Sequence, residues 1–173
     1  MWPQSRLADN AAYYVGRTMY EQMNYPGAEQ ALVAAEKQYS MSNVLDQIVI
    51  WEGKAQLLQK APAKAEMTLR RALSSFARSP FLAEAHYYLG RSIYDQMRLP
   101  EALMEWKLII ANYKTSFWVD PAYDFVVRVE ADMKNCAAAN QDYAAYKAAF
   151  PMSMHLMPAC AYKLMLKCAG ACP

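Results

Sequence analysis

Apolar and small residues recur along this chain at helical spacing. Phe81, Ala85, Tyr88 and Ser92 fall at i, i+4, i+7 and i+11, one face of a helix. The pattern also returns at long range. "YVGRTMYEQMNYPGA" from Tyr14 and "YLGRSIYDQMRLPEA" from Tyr88 stand 74 positions apart and share eight of fifteen residues, with four more kept in kind. Midway lies "WEGKAQLLQKAPAKA" from Trp51, and one further step gives Phe125, Val127, Arg128 and Ala139. Ala28, Ala65, Ala102 and Ala139 are each followed four residues on by Leu32, Leu69, Trp106 and Tyr143. Eleven residues after each alanine stand Tyr39, Phe76, Tyr113 and Phe150. The period is 37, and periods of this size mean repeated supersecondary units.

Each unit reads as two helices. Pro26, Pro62 and Pro100 fall where the second helix opens, a position that needs no backbone N–H. Ser79-Pro80 predicts an N-cap followed by proline in the first helical position, and Asp120-Pro121 a second such start. Gly16, Gly53 and Gly90 predict close approach of the paired helix, with the small alanine opposite. A half-unit follows Phe150, a helix from about Pro158 to Lys167 that ends at Gly170 and covers the last open face. The expected fold is all-α: a right-handed α-α solenoid of about four helix-turn-helix repeats plus a C-terminal capping helix. It is expected to form a single domain over 1–173, with units near 7–40, 42–78, 79–115 and 116–150 and a half-unit at 151–173.

Composition narrows the function. At 55% apolar and 13% aromatic the chain is expected to fold, and a net charge of +2 argues against a dedicated nucleic-acid binder. No apolar run reaches the roughly 18–20 residues of a membrane span, and "MWPQSRLADN" lacks the apolar core of a secretory signal. Cys136, Cys160, Cys168 and Cys172 crowd at one end rather than stapling the whole chain, so reduced packing thiols are expected, with room for one bridge, such as Cys168 to Cys172.

Chemistry is sparse. His86 lies inside a helical stretch and reads as a packed ring, because no partner for it is visible. "EGK" at Glu52 to Lys54 lacks the earlier glycine of a phosphate loop and has Ala55 where Ser or Thr would bind magnesium. Met152, Met154, His155, Met157, Cys160, Cys168 and Cys172 could be soft copper(I) ligands, but the spacing of a known metal motif is missing. Methionine as core filler and cysteine as a small hydrophobe is the plainer account. No catalytic, cofactor-binding or metal-binding residue is assigned.

One row remains. Arg17, Lys54, Arg91 and Arg128 recur at the period, with Tyr13, Tyr20, Tyr87 and Tyr94 on the same helical side. Arginine and tyrosine are common interface anchors, and an acidic segment or a C-terminal carboxylate would suit such a row. Against this, Arg17 with Glu21, Arg91 with Asp95 and Arg128 with Asp132 could be solvated i,i+4 pairs, although Lys54 has no such acid. Charge is also uneven. Glu52 to Arg78 is mainly basic and Glu101 to Asp132 mainly acidic, which suits an oriented docking surface or simply solvated faces.

Glycine, alanine twelve residues on, then a large residue and a closing aromatic resembles the tetratricopeptide repeat, whose unit is ~34 residues. The resemblance covers roughly residues 10 to 150. It implies that the cation row looks into a groove holding extended peptides or partner helices. The sequence departs in its longer period, in a shifted aromatic, in Val127 for glycine, and in Glu52 and Gln56 at positions the family keeps apolar. Pentatricopeptide repeats are the near neighbour and leave RNA binding as the alternative function. The units "YYVGRTMYEQMNYPGAEQALVAAEKQY" and "AHYYLGRSIYDQMRLPEALMEWKLIIANY" also resemble the small helical-repeat subunit on the catalytic head of euglenozoan mitochondrial ATP synthases. That resemblance implies a non-catalytic subunit on the ATP synthase alpha subunit, in mitochondria, with a targeting peptide removed. The expected role is protein–protein interaction inside a larger assembly, with no small-molecule substrate.

Overall fold

The computed structural model describes residues 7–168. Among them are nine helices: α1 (Ala8–Glu21), α2 (Tyr25–Gln38), α3 (Leu45–Leu58), α4 (Pro62–Ser75), α5 (Leu82–Tyr94), α6 (Leu99–Asn112), α7 (Val119–Asp132), α8 (Cys136–Ala149) and α9 (Leu156–Met165). The first helices of successive hairpins start at 8, 45, 82, 119 and 156 and the second helices at 25, 62, 99 and 136. Every step is 37, so the fold is an α-α solenoid in the register that the sequence predicts. Two compact units make it up, 1–92 and 93–173, divided inside α5.

The turn inside each hairpin is built without glycine. Met23, Lys60, Met97 and Lys134 adopt φ of 61–62° one period apart. In each, two amides close the helix: Met23 N–H donates to the Tyr20 carbonyl and Asn24 N–H to that of Met19, and the other turns repeat this. Such a left-handed C-terminal motif satisfies carbonyls that the helix end leaves open. Pro26, Pro62 and Pro100 then lie in the first turn of the second helix, as expected.

The turn between hairpins differs from the expectation. Ser79 is not the N-cap of α5. The helix begins at Leu82, and Ser79 Oγ instead accepts the Phe81 N–H at 3.1 Å. Ser42, Ser116 and Ser153, one period apart, accept from Val44, Trp118 and His155 in the same way. Three of these hydroxyls also reach back to the preceding first helix: Ser42 to Asp9 at 2.6 Å, Ser79 to Asp46 at 2.5 Å and Ser153 to Asp120 at 2.7 Å. Asp120 therefore sits within α7, after the Trp118 cap, and is not a cap itself.

Ala28, Ala65, Ala102 and Ala139 are fully buried, with Leu32, Leu69, Trp106 and Tyr143 beside them at 0–3% exposure. The residue opposite the glycine is the large one and not the alanine. A Cβ on Gly16 would lie 2.5 Å from Leu32 Cγ, and one on Gly53 2.7 Å from Leu69 Cγ. Glu52 and Gln56 are buried as well, and polar groups of their own helix and of α2 and α4 face them, although Gln56 Oε1 is left without a hydrogen bond. Gln56 Nε2 donates to Glu52 and to Glu29 at 2.9 Å, and Arg71 Nη2 lies 3.4 Å from Glu52 while pairing with Glu36.

The cysteines overturn the expectation of reduced thiols. Cys136 at the start of α8 is bonded to Cys168 beyond α9, and Cys160 is disulfide-bonded too. Cys168 is therefore not paired with Cys172, which, like Gly170, lies outside the described residues. The α9 helix begins two residues earlier than expected and ends at Met165. Met152, Met154 and Met157 are exposed rather than core fillers.

Candidate protein-binding surface

In the first unit the periodic cations meet a second row that the sequence reading did not use. Aromatics stand three residues before the four cations, at Tyr14, Trp51, Tyr88 and Phe125, and Tyr162 continues the row ahead of Met165. The Arg17 guanidinium lies 5.2 Å from the Trp51 ring, on the next hairpin. The Lys54 ammonium is 3.2 Å from Trp51 and 4.9 Å from Tyr88. In the second unit Arg128 lies 5.0 Å from Tyr162. Arg17, Lys54 and Arg128 thus each reach the aromatic 34 residues on, and such contacts strengthen when desolvated.

Most of the predicted site residues turn out to be engaged in this packing. Tyr13 is 4% exposed in a cluster with Leu32, Ala35, Val44 and Ile48. Tyr20 packs edge-on against Tyr25 and Trp51, and Tyr87 against Tyr88. Lys54 is buried and donates to Glu84 at 2.7 Å, and burial holds its ammonium below the ordinary lysine range. Arg91 is half-buried on α5, and its charge acts on the Tyr20 hydroxyl. Tyr94 donates to Asp132 at 2.7 Å, and so does Tyr162. Arg128 consequently does not pair with Asp132. Its Nε donates back to Asp124 at 2.8 Å, whose carboxyl burial pushes up. The expected Arg17–Glu21 pair does form, at 2.8 Å.

Arg17 remains the accessible member among these, its side chain 41% exposed. It rims a cavity of about 160 Å³ lined by Tyr13, Gln47, Ile50, Trp51, Phe81 and Glu84. Three helical layers build this hollow, and it offers a cation, a carboxylate, an amide and aromatic walls. Gln47, Trp51 and Glu84 were missed in the sequence. Trp51 carried a signal in the periodic aromatic row, and Gln47 and Glu84, one period apart with Asn10 before them, carried one as a polar position of the first helix. The described residues hold no group of three or more His, Cys, Asp or Glu placed to bind a metal ion. No described helix is long and apolar enough to cross a membrane.

Solved structures with this architecture exist. A tetratricopeptide repeat protein from Parabacteroides merdae superposes with a TM-score of 0.73 at 15% identity over 92% of this chain and 60% of its own. Pseudomonas aeruginosa pilF superposes with a TM-score of 0.67 at 17% identity over 88% and 66%. The fold is that of tetratricopeptide repeat structures. The chain spans less than two thirds of either neighbour's length. No family profile and no curated protein matches the sequence.

Proposed function

We propose that this chain is a non-catalytic protein-binding subunit of a larger assembly, and that the Arg17 cavity holds a side chain or terminus of its partner. The observation that carries the reading is the half-exposed guanidinium stacked near Trp51, at the mouth of a small cavity with polar and aromatic walls. Arginine beside aromatic surface is a recurrent anchor of protein interfaces. Lys54 and Arg128 act in this reading as internal ties that hold successive hairpins in register, with Arg91 and the tyrosines supporting them. A peripheral position on the mitochondrial ATP synthase alpha subunit is the narrower assignment, and it rests on the resemblance of the two quoted units.

The test is to tag the protein in its own cells and purify it at moderate salt, with and without RNase, beside an Arg17→Glu variant. Stoichiometric protein partners that survive RNase and are lost from the variant are expected. ATP synthase subunits among them would establish the narrower assignment. RNA-dependent recovery would overturn the reading in favour of the pentatricopeptide alternative.

A further inference from the structure

The hollow beside Arg17 is set among α1, α3 and α5, and its open hydrogen-bonding groups select a guest. Its volume of about 160 Å³ is that of roughly five water molecules, room for one side chain. Arg17 gives its Nε to Glu21 at 2.8 Å and also hydrogen-bonds the Tyr13 hydroxyl, which leaves further guanidinium N–H groups to donate. Glu84 accepts from the Lys54 ammonium on Oε1 at 2.7 Å, while its Oε2 meets no donor among the described residues. The Glu84 side chain is only 14% exposed, so that oxygen is largely withdrawn from water. Gln47, half-buried on α3, engages only its backbone N–H, with Asp46, and its carboxamide has no hydrogen bond among the described residues. A donor, an acceptor and an amide thus stand open beside the walls that Ile50, Trp51 and Phe81 supply.

The charges around the hollow are already balanced, Arg17 by Glu21 and Glu84 by Lys54. A carboxylate guest would set a second negative charge beside Glu84 and leave its free oxygen without a donor. That argues against the acidic anchor the cation row suggests in the sequence. An ammonium guest would compete with Lys54 for Glu84 and face the Arg17 charge. A wholly apolar guest would fill the walls but bury the three polar groups unpaired, which is costly. A primary carboxamide meets every demand: it is neutral, its oxygen accepts and its nitrogen donates. We propose that the hollow binds the side-chain carboxamide of a glutamine in the protein partner. Its oxygen accepts from Arg17, its nitrogen donates to Glu84 Oε2, and the Gln47 amide closes the pattern. The glutamine stem, one methylene longer than that of asparagine, packs on the aromatic and apolar walls. The inference rests on the scaffold reading and names what its cavity holds.

The test uses the full chain with its disulfides intact, isotope-labelled for NMR, with the Trp51 indole N–H as reporter. The probes are N-acetyl-glutamine methylamide and the same blocked forms of glutamate, lysine and methionine. The glutamine probe is expected to shift the Trp51 signal saturably with a Kd of roughly 1 mM, the affinity a ligand of this size can reach. Each of the other three should bind about tenfold more weakly, a difference of ~1.4 kcal/mol. The Trp118 indole, in the second unit, should stay unmoved. Arg17→Ala, at an accessible position, and Gln47→Ala should each weaken glutamine binding about tenfold. A Trp51 signal that shows no saturable shift up to ~100 mM overturns the proposal. So does equal or tighter binding of any other probe, and so does binding that neither substitution weakens. The scaffold reading fails on a different result, partner capture that survives Arg17→Glu. Tighter binding of the glutamate probe would overturn the carboxamide alone and leave Arg17 holding an acidic anchor, so the two failures are distinguishable.

Discussion

Glu52 is a carboxyl group only 6% exposed, held between Glu36 of α2 and Arg71 of α4. Burial, with the Glu36 charge beside it, pushes its pKa up to about 7 from an ordinary 4.5. The folded state thus holds this proton more tightly than the unfolded chain does. The stability Glu52 contributes is fully present below about pH 4.5 and is lost as pH rises to about 7. Glu36 works in the opposite sense. Its hydrogen bond to Arg71 holds it below the carboxylate range, so its contribution is lost as pH falls. Comparison with Glu52→Gln isolates the first effect, because glutamine keeps the shape and a hydrogen-bonding oxygen without the charge. The variant is expected to match the parent near pH 4.5 and to exceed it above pH 7 by about 1–3 kcal/mol, read from urea titrations across that range. A variant that is weaker at pH 8 would mean that the ion pair with Arg71 outweighs desolvation. In the sequence, Glu52 was visible only as an acid at an apolar position. Its partners come from residues 16 before and 19 after it, at distances no period encodes.

At the scale of the element, the repeated helical hairpin was legible because its determinants are local and periodic. Alanine and a large residue recur at one offset in four copies, with glycine at its own offset in three, and that repetition marks one helix pairing. The details that failed were those where two chemically sensible partners compete. Serine before proline suggested a cap, yet Ser79 spends its hydroxyl on Asp46 and its lone pair on Phe81, and the helix starts later. Sequence spacing also suggested that alanine faces glycine, whereas the leucine one turn further on fills that space. A mutant cycle measures this contact. Gly53→Ala puts a methyl 2.7 Å from Leu69 Cγ, and a loss of about 1–3 kcal/mol is expected as the helices are forced apart. Leu69→Ala alone should cost about 2–5 kcal/mol by leaving a cavity in a fully buried site. Together the two changes should cost less than their sum, since each relieves the defect that the other creates. Strict additivity in thermal or chemical unfolding would show that the two side chains do not share that space.

For the whole molecule, the candidate site was legible only in outline. The cation row is periodic in the sequence, but Arg17, Lys54 and Arg128 lie against aromatics of the next hairpin, and Arg17 borders a cavity. The sequence argument about cysteines failed for a related reason. Cys136 and Cys168 look unrelated at a separation of 32, and only the return of α9 beside α8 brings them together. That bond gives the two compact units unequal dependence on redox conditions, because every cysteine of the chain lies in the second. Closing a loop of this length restricts the unfolded chain by about 3–4 kcal/mol in the entropy account. Cys136→Ser should therefore accelerate amide hydrogen exchange in α7, α8 and α9 by some two to three powers of ten. The α9 helix should respond most, because it is the last and shortest element, tied at its end by the bond. Exchange in α1 to α4 should hardly change, since stability in a repeat array is carried chiefly between neighbours. Equal acceleration throughout would mean that the chain unfolds as one cooperative body and that the disulfide supports all of it. Unchanged exchange in α9 would mean that its packing against α7 and α8 holds it without the bond.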